Sequence, residues 1–357
     1  MEKIMIAMSG GVDSSVAALL LQKSGAACVG AMLRLYDSAD AGAPPESGCC
    51  SLSDAEDARG AAARLGIPFY VFNDTDEFRR HVIGRFAACY ARGRTPNPCI
   101  DCNRYLKFGA LLARARLLGY DALATGHYAR IARDGAQYVL KKAVDPDKDQ
   151  SYVLFRLTQD ELAHVRFPLG ALCKSETRAL AEAAGLANAR KRDSQDICFA
   201  PDGDYAGAVE RFSGRIFPPG PFLDMQGRVL GEHRGIIRYT VGQRRGLGLP
   251  SDGRLYVQAL DPARNAVILA PDGALWARAL RAEDFHWISG RAPDAPFRAA
   301  AKIRYRHREA PCLVTPEGGA DALVEFDAPQ RAIAPGQSVV LYDGDTVLGG
   351  GVIRSAK

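Results

Sequence analysis

The first 200 residues alternate between short apolar runs and amphipathic stretches with helical periodicity. The apolar runs are four to six residues long, and the stretches that follow them have apolar positions every three or four residues. Such an alternation predicts a parallel sheet with helices on both faces. The predicted strands are Lys3–Met8, Cys28–Leu33, Phe69–Phe72 and Ala122–Thr125.

Turn and cap signals agree with this alternation. Ser53 and Glu56 have the spacing of a capping box, and Gly66 stands where the same helix should end in a left-handed conformation. Asp134-Gly135 predicts a hairpin turn appended to the sheet domain. Equivalent helix ends are expected at Gly25, Gly93 and Gly119.

The pattern changes after about Pro201, where glycine and proline become dense and helical periodicity fades. Short β-branched or aromatic runs between turns predict one or two small barrels, with a boundary near Arg281–Ser289. We therefore expect a catalytic domain over residues 1–200, a small central β-rich domain over 201–280 and a β-barrel over 281–357. The runs are Ile236–Val241, Leu255–Leu260, Val267–Ala270, Ala299–His307, Leu323–Phe326 and Ser338–Tyr342.

Composition narrows the class of protein. A chain of 357 residues with 47% hydrophobic and 24% charged residues can bury two or three cores. The net charge of +5 permits a polyanionic partner but does not imply one. The apolar runs are far shorter than the ~20 residues of a membrane span, and the nine cysteines are scattered, so a cytoplasmic protein with working thiols is expected.

A glycine-rich loop joins the first predicted strand to a helix predicted over Val16–Gln22. Gly10 and Gly11 allow a tight turn that brings backbone amides close to an anion, and Ser9 and Ser14 add donors. The loop lacks the lysine of nucleotide hydrolases and the spacing of a dinucleotide turn. It predicts a pyrophosphate cradle; the alternative is a turn that only caps a helix.

Two cysteine segments are candidates for thiol chemistry. Cys99 and Cys102 follow two prolines and precede a helix predicted over Tyr105–Leu118, so Cys102 should lie near a helix N-terminus that favours the thiolate. Cys198 lies in a loop-like stretch after a basic run and is a credible second thiol.

Other interpretations exist for the cysteines. Cys99 and Cys102 could form half of a zinc site, but the sequence supplies no convincing second half. Cys49-Cys50 stays undecided. The remaining four are expected to be buried hydrophobes: Cys28, Cys89, Cys173 and Cys312.

Cations recur at every second position between Lys302 and Arg308. If this segment is a strand, all four point to one face, roughly 7 Å apart, and can follow a phosphate backbone. A solvated strand face is the alternative.

These motifs are those of a known family. Ser9–Ser14 resembles the phosphate loop of the ATP pyrophosphatase superfamily, whose members cleave ATP between the α and β phosphates and adenylate a substrate oxygen. Nearly end to end, the chain resembles the tRNA-specific 2-thiouridylases, which convert a wobble uridine to 2-thiouridine. Matching segments beyond the loop are Gly93–Pro98, Cys102-Asn103, Thr125–Tyr128, Lys148–Tyr152, Gly242–Gly248, Arg304–Arg306 and Pro335–Ser338.

The resemblance implies roles for these residues. Cys102 would be the nucleophile that resolves the sulfur intermediate, Cys198 would carry a persulfide, and a disulfide between them would close at each turnover. ATP and Mg²⁺ are the implied cofactors, with Asp13 near the magnesium ion, and no other metal site is implied. The implied nucleotide site is Ala7, Met8, Ser9, Gly10, Gly11, Val12, Asp13, Ser14, Leu33 and Gly126.

The resemblance also implies partners. They are the anticodon stem-loop of tRNA and a sulfur donor, either a cysteine desulfurase or a relay protein; no membrane contact is implied, and a monomer is expected. The implied contacts to the target base are Asn97, Pro98 and Cys99. The other implied tRNA contacts are His127, Lys148, Asp149, Gln150, Arg304, Tyr305 and Gln337.

One position departs from the family pattern, because many members have an aspartate where Cys99 stands and use it for proton transfer. Asp101 could substitute, Cys99 itself could titrate, or a water could serve. Two rival functions also fit the phosphate loop. One is a ligase that adenylates a small metabolite and needs no thiols, and the other is a tRNA-binding protein with a regulatory nucleotide site.

Overall fold

The protein is described by a computed structural model that covers residues 1–36, 52–193, 197–200, 203–249 and 254–357. Its N-terminal part contains a five-stranded sheet of order β3-β2-β1-β4-β7, in which every pairing is parallel. The strands are β1 Lys3–Ala7, β2 Ala27–Arg34, β3 Phe69–Asn73, β4 Ala122–Thr125 and β7 Val165–Arg166.

Helices cover both faces of this sheet, because its central strands bury side chains on both sides. Ile4 and Ile6 pack on one face with the first helix, whereas Met5 packs on the other face with a long helix. This confirms the predicted doubly wound α/β class. The helices are α1 Val12–Lys23, α2 Leu52–Leu65, α3 over 75–90, α4 over 98–117, α5 Gln159–His164, α6 Lys174–Ala183 and α7 Tyr205–Ser213.

Two details of the helices differ from the prediction. Because α2 already begins at Leu52, Ser53 lies inside its first turn and is not the N-cap. Helix α7 lies beyond Pro201, where the sequence showed only β texture. Gly66 adopts the expected left-handed conformation after α2, with φ of 65°. In the described part of the chain, no helix is long and apolar enough to cross a membrane.

The predicted hairpin forms, as β5 Ala129–Asp134 and β6 Gln137–Lys142. It does not belong to the parallel sheet, however. Lys141 pairs with Thr346 of the last strand, and the Lys142 amide donates to the Asp345 carbonyl at 2.7 Å. The hairpin therefore pairs with the C-terminal sheet, while its apolar residues Ala129 and Leu140 pack in the core beside the parallel sheet, within the domain to which it was predicted to belong.

A four-stranded sheet of order β10-β11-β8-β9 forms the central part. The run Ile236–Val241 is not a strand, because its start forms the 3-10 turn Ile236–Arg238 and buries Ile236 under the sheet. The strands are β8 Gly220–Leu223, β9 Val229–His233, β10 Leu255–Asp261 and β11 Ala266–Pro271.

The C-terminal part is a closed six-stranded barrel, in which a β12–β17 pairing completes the ring. Its first strand begins at Trp276 and ends at Trp287, so it includes most of the 281–289 region near which a boundary was predicted. The strand predicted over Ala299–His307 ends at Lys302, where the chain bends. The strands are β12 Trp276–Trp287, β13 Phe297–Lys302, β14 Ala310–Pro316, β15 Ala322–Arg331, β16 Ser338–Asp343 and β17 Thr346–Ala356.

Candidate active site

The glycine-rich loop lies at the carboxyl edge of the parallel sheet, between β1 and α1. Gly10 has φ of 75°, and a side chain there would run into the Asp54 backbone. The Ser14 hydroxyl donates to the Gly11 carbonyl at 3.1 Å and accepts from the Ser9 amide at 3.2 Å. Gly11 is the N-cap of α1 and has no side chain to cap the first-turn amides, which suits an anion-binding helix end.

Gly126 packs directly on this helix start. It follows β4, whose last residue Thr125 pairs with Ala7. A Cβ at Gly126 would lie 2.7 Å from the Ser14 nitrogen and 2.8 Å from the Asp13 carbonyl carbon. Gly126 therefore permits the close approach of the chain after β4 to the first turn of α1, beside the loop.

The carboxylate of Asp13 is bound by a lysine that the sequence did not single out. Lys174, at the start of α6, donates to both Asp13 oxygens at 2.6 and 2.8 Å, and its side chain is only 11% exposed. The Tyr128 hydroxyl donates to the same carboxylate at 2.9 Å. Burial raises the pKa of Tyr128, and the Asp13 charge adds to this, so the hydroxyl stays a donor.

Lys174 also connects the loop to the chain segment that leads to Cys198. Its ammonium group lies 2.8 Å from the carboxylate of Asp193, which also receives Lys148 at 2.8 Å and Arg178 at 3.2 Å. Burial by itself would raise the pKa of Asp193. The hydrogen bonds from Lys148 and Lys174 have the larger effect, so the pKa of Asp193 is lowered. A chain of alternating charges thus runs from the loop to Asp193.

Cys102 and Cys198 lie in one apolar cluster, although 96 residues separate them in the sequence. Cys102 is 9% exposed, and Cys198 is half-buried at the cluster edge. Leu33 of β2 packs against this cluster and also against the core of the parallel sheet. The cysteine cluster, as we call it, includes Tyr36, Phe78, Phe86, Tyr90, Leu106 and Phe199.

Helix α4 begins earlier than predicted. Its first turn starts at Pro98, and the side chain of Asn97 caps it by accepting from the Cys99 amide at 3.1 Å. Cys99 is therefore the exposed residue in the first turn, whereas Cys102 lies one turn further in. Cys102 was predicted to lie near the N-terminus of a helix that starts at Tyr105; because the helix starts at Pro98 instead, Cys102 lies one turn inside it.

Asp101 points to a different neighbourhood from Cys99. Its carboxylate lies 3.3 Å from Arg85 of α3, and burial raises its pKa despite that arginine. Cys99, in contrast, lies near Tyr305 of the barrel, whose pKa is raised by burial and by the charges of Asp149 and Cys99. Of the two side chains considered for proton transfer, Asp101 is thus the one turned toward α3.

Several residues expected to contact tRNA already have partners within the chain. His127 is buried between Thr125 and Lys107, and burial, with the lysine charge, lowers its pKa well below the usual value. Gln150 accepts from the Tyr128 amide at 3.0 Å, and Gln337 donates to the Thr95 carbonyl at 2.9 Å. These side chains position the site from within.

The residues expected to contact tRNA near the barrel edge differ in exposure. Asp149 accepts from the Ala143 and Ser151 amides, while its carbonyl receives the Tyr305 hydroxyl at 3.3 Å. Arg304 and Tyr305 are exposed. However, the cations from Lys302 to Arg308 do not share one strand face, because β13 ends at Lys302 and the chain then turns. That part of the prediction was wrong.

Family models match the chain in three blocks. Residues 2–202 match a tRNA methyl transferase HUP domain, 213–271 a tRNA methyl transferase PRC-barrel domain and 277–353 an aminomethyltransferase β-barrel domain. The tRNA-specific 2-thiouridylase MnmA of Roseiflexus castenholzii is 52% identical over 99% of both chains, and that of Moorella thermoacetica is 50% identical over 98% of this chain and 99% of the relative. The chain belongs to the tRNA-specific 2-thiouridylase family.

Membership of the 2-thiouridylase family confirms the resemblance that the motifs predicted. Each of these relatives is named for thiolation, whereas the family models carry methyl transferase in their descriptions. Among solved structures, a 4-thiouridine synthetase in complex with RNA and ATP is similar over 60% of this chain and 50% of its own, with 18% identity and a TM-score of 0.38.

Sequence reasoning missed residues of this 2-thiouridylase that reach the site only when distant parts of the chain pack together. Lys174 looks like any helical lysine, and Tyr36 looks like any apolar strand end. Asn188 donates to the Gly10 carbonyl at 3.0 Å and to the Ser15 hydroxyl at 2.9 Å, yet it lies 178 residues beyond Gly10. Asp193 was not singled out either, although its place directly after the basic run that precedes Cys198 is a signal that could have drawn attention to it.

The other cysteines of this 2-thiouridylase differ in setting. Cys312 is fully buried in the barrel, and burial raises the pKa of its thiol to about 12. Cys49 and Cys50 lie outside the described residues. Within the described ranges, no group of three or more His, Cys, Asp or Glu side chains is placed to hold a metal ion.

Proposed function

We propose that this protein is a tRNA 2-thiouridine synthase, a sulfurtransferase that uses ATP to replace the C2 oxygen of a wobble uridine with sulfur. The observation that carries the proposal is the placement of Cys102 and Cys198 in one cluster, bordered by Leu33 of the strand next to the phosphate loop. A ligase acting on a small metabolite would not need two thiols beside that strand.

The first step activates the base, because a carbonyl oxygen is a very poor leaving group. The uridine C2 oxygen attacks the α-phosphorus of ATP, the α–β phosphate bond breaks, and pyrophosphate leaves with the electron pair. In this proposal the amides of Gly10 and Gly11 and the N-terminus of α1 hold the phosphates. Lys174 adds a fixed positive charge beside Asp13, which stabilises the developing negative charge.

The second step transfers sulfur. The terminal sulfur of a persulfide on Cys198 attacks C2, and AMP leaves with the activated oxygen. The Cys102 thiolate then attacks the Cys198 sulfur, so that a Cys102–Cys198 disulfide forms and the thiouridine sulfur departs with the electron pair. An external dithiol reductant must reopen the disulfide before the next turnover.

The residues present do not form a magnesium cage. Both oxygens of Asp13 are bound by Lys174, and one of them also receives Tyr128. Mg²⁺ commonly binds through substrate phosphates with few protein ligands. We infer that Mg²⁺ enters on the ATP phosphates and that Lys174 is the resident cation of the loop.

The partners follow from the same chemistry. The target is the anticodon stem-loop of tRNA, since a wobble base must leave its stack to reach two thiols. Loading of Cys198 requires a sulfur donor protein, either a cysteine desulfurase or a relay protein. A monomer carries all the proposed groups, and light scattering would measure the oligomeric state.

The test is mass spectrometry of tRNA nucleosides after incubation with ATP, Mg²⁺ and a persulfide source. The expected product is a uridine in which one oxygen is exchanged for sulfur, and it should disappear when ATP is omitted. A Cys102→Ser, Cys198→Ser double variant should make none. If that variant retains full product formation, or if tRNA triggers no AMP release by the wild type, the proposal fails.

A further inference from the structure

Residues 94–104, here called the catalytic segment, contain both Cys99 and Cys102, and the C-terminal barrel holds this segment at both ends. At one end, Arg94 forms an ion pair with Glu283 of β12. At the other end, Arg104 lies 3.5 Å from the carboxylate of Asp284. Two neighbouring residues of one barrel strand therefore bracket the segment.

Asp284 has an unusual backbone conformation. Its φ of 49° is left-handed, which is uncommon for a residue with a side chain. Its carboxylate also accepts from Arg156 at 2.8 Å, and the Arg156 side chain is only 8% exposed. The barrel contact to Arg104 is thus anchored to the interior of the N-terminal part.

The start of the segment, directly after Arg94, meets the loop between β15 and β16. The Thr95 amide donates to the Pro335 carbonyl at 2.8 Å. The side-chain amide of Gln337 donates to the Thr95 carbonyl at 2.9 Å and to the Pro96 carbonyl at 3.4 Å. One barrel loop therefore fixes two successive peptide planes just before the residue that caps α4.

The barrel loop that makes these contacts is held firmly and lies directly against the catalytic segment. Gly336 has φ of 92°, and a Cβ there would lie 2.7 Å from the Thr95 nitrogen, so the two backbones touch. The Gly336 amide donates to the Ile353 carbonyl at 2.8 Å, and the Ile353 amide donates to the Gln337 carbonyl at 2.8 Å. Strand β17 thus holds the loop from behind.

We infer that Gln337 is a positioning residue, whose amide lets the barrel set the conformation of the catalytic segment. The contact between Gln337 and the catalytic segment does not depend on the proposed function. Its expected effect on catalysis does rest on that function. Pro96 and Pro98 restrict the chain on either side of Asn97, so the two carbonyls held by Gln337 determine how Asn97 caps the helix that carries Cys102. A misplacement of about 1 Å can cost about 100-fold in rate.

The test uses the full-length enzyme with Gln337→Ala and Gln337→Glu. Glutamate keeps the shape but presents oxygens to two carbonyls, so it should be at least as damaging as alanine. Gln330→Ala is the matched control, because the exposed Gln330 amide donates only within its own strand, to Ala328. Hydrogen exchange of the amides of residues 95–102 reports the contact without any activity, and kcat and KM for tRNA report its consequence.

We expect faster exchange over residues 95–102 in both Gln337 variants and a fall in kcat of about 10- to 100-fold, with KM for tRNA within about 2-fold of the wild type. Gln330→Ala should change neither. Unchanged exchange with a raised KM and normal kcat would overturn the inference, because Gln337 would then contact tRNA directly. A wild type that makes no thiouridine would refute the proposed function, while the exchange data would still decide the contact.

Discussion

The hydroxyl of Tyr36, two residues beyond the end of β2, donates a hydrogen bond to the backbone carbonyl of Cys198, which lies 162 residues later. Tyr36 is 3% exposed and belongs to the cysteine cluster. The residues that directly follow the strand beside the phosphate loop therefore hold the backbone of the cysteine that we propose as the persulfide carrier.

Replacing Tyr36 with phenylalanine removes this hydrogen bond and keeps the aromatic packing. We expect the rate of sulfur transfer in a single turnover to fall about 10-fold, because the Cys198 backbone loses its anchor. ATP–pyrophosphate exchange should stay near the wild-type rate, since the loop is untouched. Equal loss of both rates would show that Tyr36 acts on the fold as a whole.

Replacing Lys174 with methionine removes the cation that binds Asp13 and Asp193. We expect tRNA-dependent ATP–pyrophosphate exchange to fall by about 100- to 1,000-fold. The free energy of unfolding should also fall by about 2 kcal/mol, a value reduced for the 31% exposure of the Asp13 side chain.

Two measurements separate these effects of Lys174. In Lys174→Arg the free energy of unfolding should return closer to the wild-type value than the rate of ATP–pyrophosphate exchange does. Arginine keeps the charge but not the compact ammonium geometry. Lys23→Met, on the exposed end of α1, is the matched control and should leave both quantities unchanged. Normal exchange in folded Lys174→Met would contradict the role proposed for this lysine.

The sequence predicted the parts of the fold that depend on local pattern. The strand predicted over Ala122–Thr125 has those bounds in the structure, because a fully buried parallel strand is a short apolar run between polar ends. The phosphate loop was predictable for a similar reason, since its glycines and hydroxyls are consecutive. The local context of Cys102 and Cys198 also brought both thiols to notice, and the family resemblance then implied their roles.

Non-local pairing could not be predicted in this way. The β5–β6 hairpin has a clear turn signal, but nothing in its residues says that Lys141 will pair with Thr346. The strand proposed up to His307 ends at Lys302 although its alternation continues, because β14, its neighbour on one side, begins at Ala310 opposite Ala301. Lys174 was missed because its importance arises only when α6 packs beside the phosphate loop.

Replacing Arg304 with alanine tests contact with the tRNA backbone. Arg304 is exposed at the turn after β13, close to the barrel residue Tyr305. If it neutralises one phosphate, the slope of log affinity against log salt should become shallower by about 0.7 to 0.9, and affinity at low salt should fall. The exposed Arg278 on β12 is the control, and Arg278→Ala should leave the slope unchanged. Identical slopes for all three proteins would exclude the contact.

His307 predicts a pH dependence of stability. Burial, followed by the charges of Arg304 and Lys302, lowers its pKa to about 4, whereas an unfolded histidine titrates near 6.5. Between these values the unfolded chain binds a proton that the folded chain does not. The free energy of unfolding therefore decreases as the pH falls from about 6.5 to about 4.

Replacing His307 with glutamine should therefore flatten the loss of stability on acidification. Because the side chain is only partly buried, we expect the difference to be on the order of 1 kcal/mol. Urea unfolding of both proteins at pH 7 and pH 4.5 measures it. Parallel losses in the two proteins would mean that His307 titrates normally in the folded state.

The central claim is that Cys102 and Cys198 act together on one base. A single turnover with enzyme carrying a persulfide on Cys198, quenched with an alkylating agent and mapped as peptides without reduction, tests it most directly. We predict one Cys102–Cys198 disulfide for each thiouridine formed. Thiouridine formed with both cysteines still separate, or with the disulfide at other positions, would contradict the account.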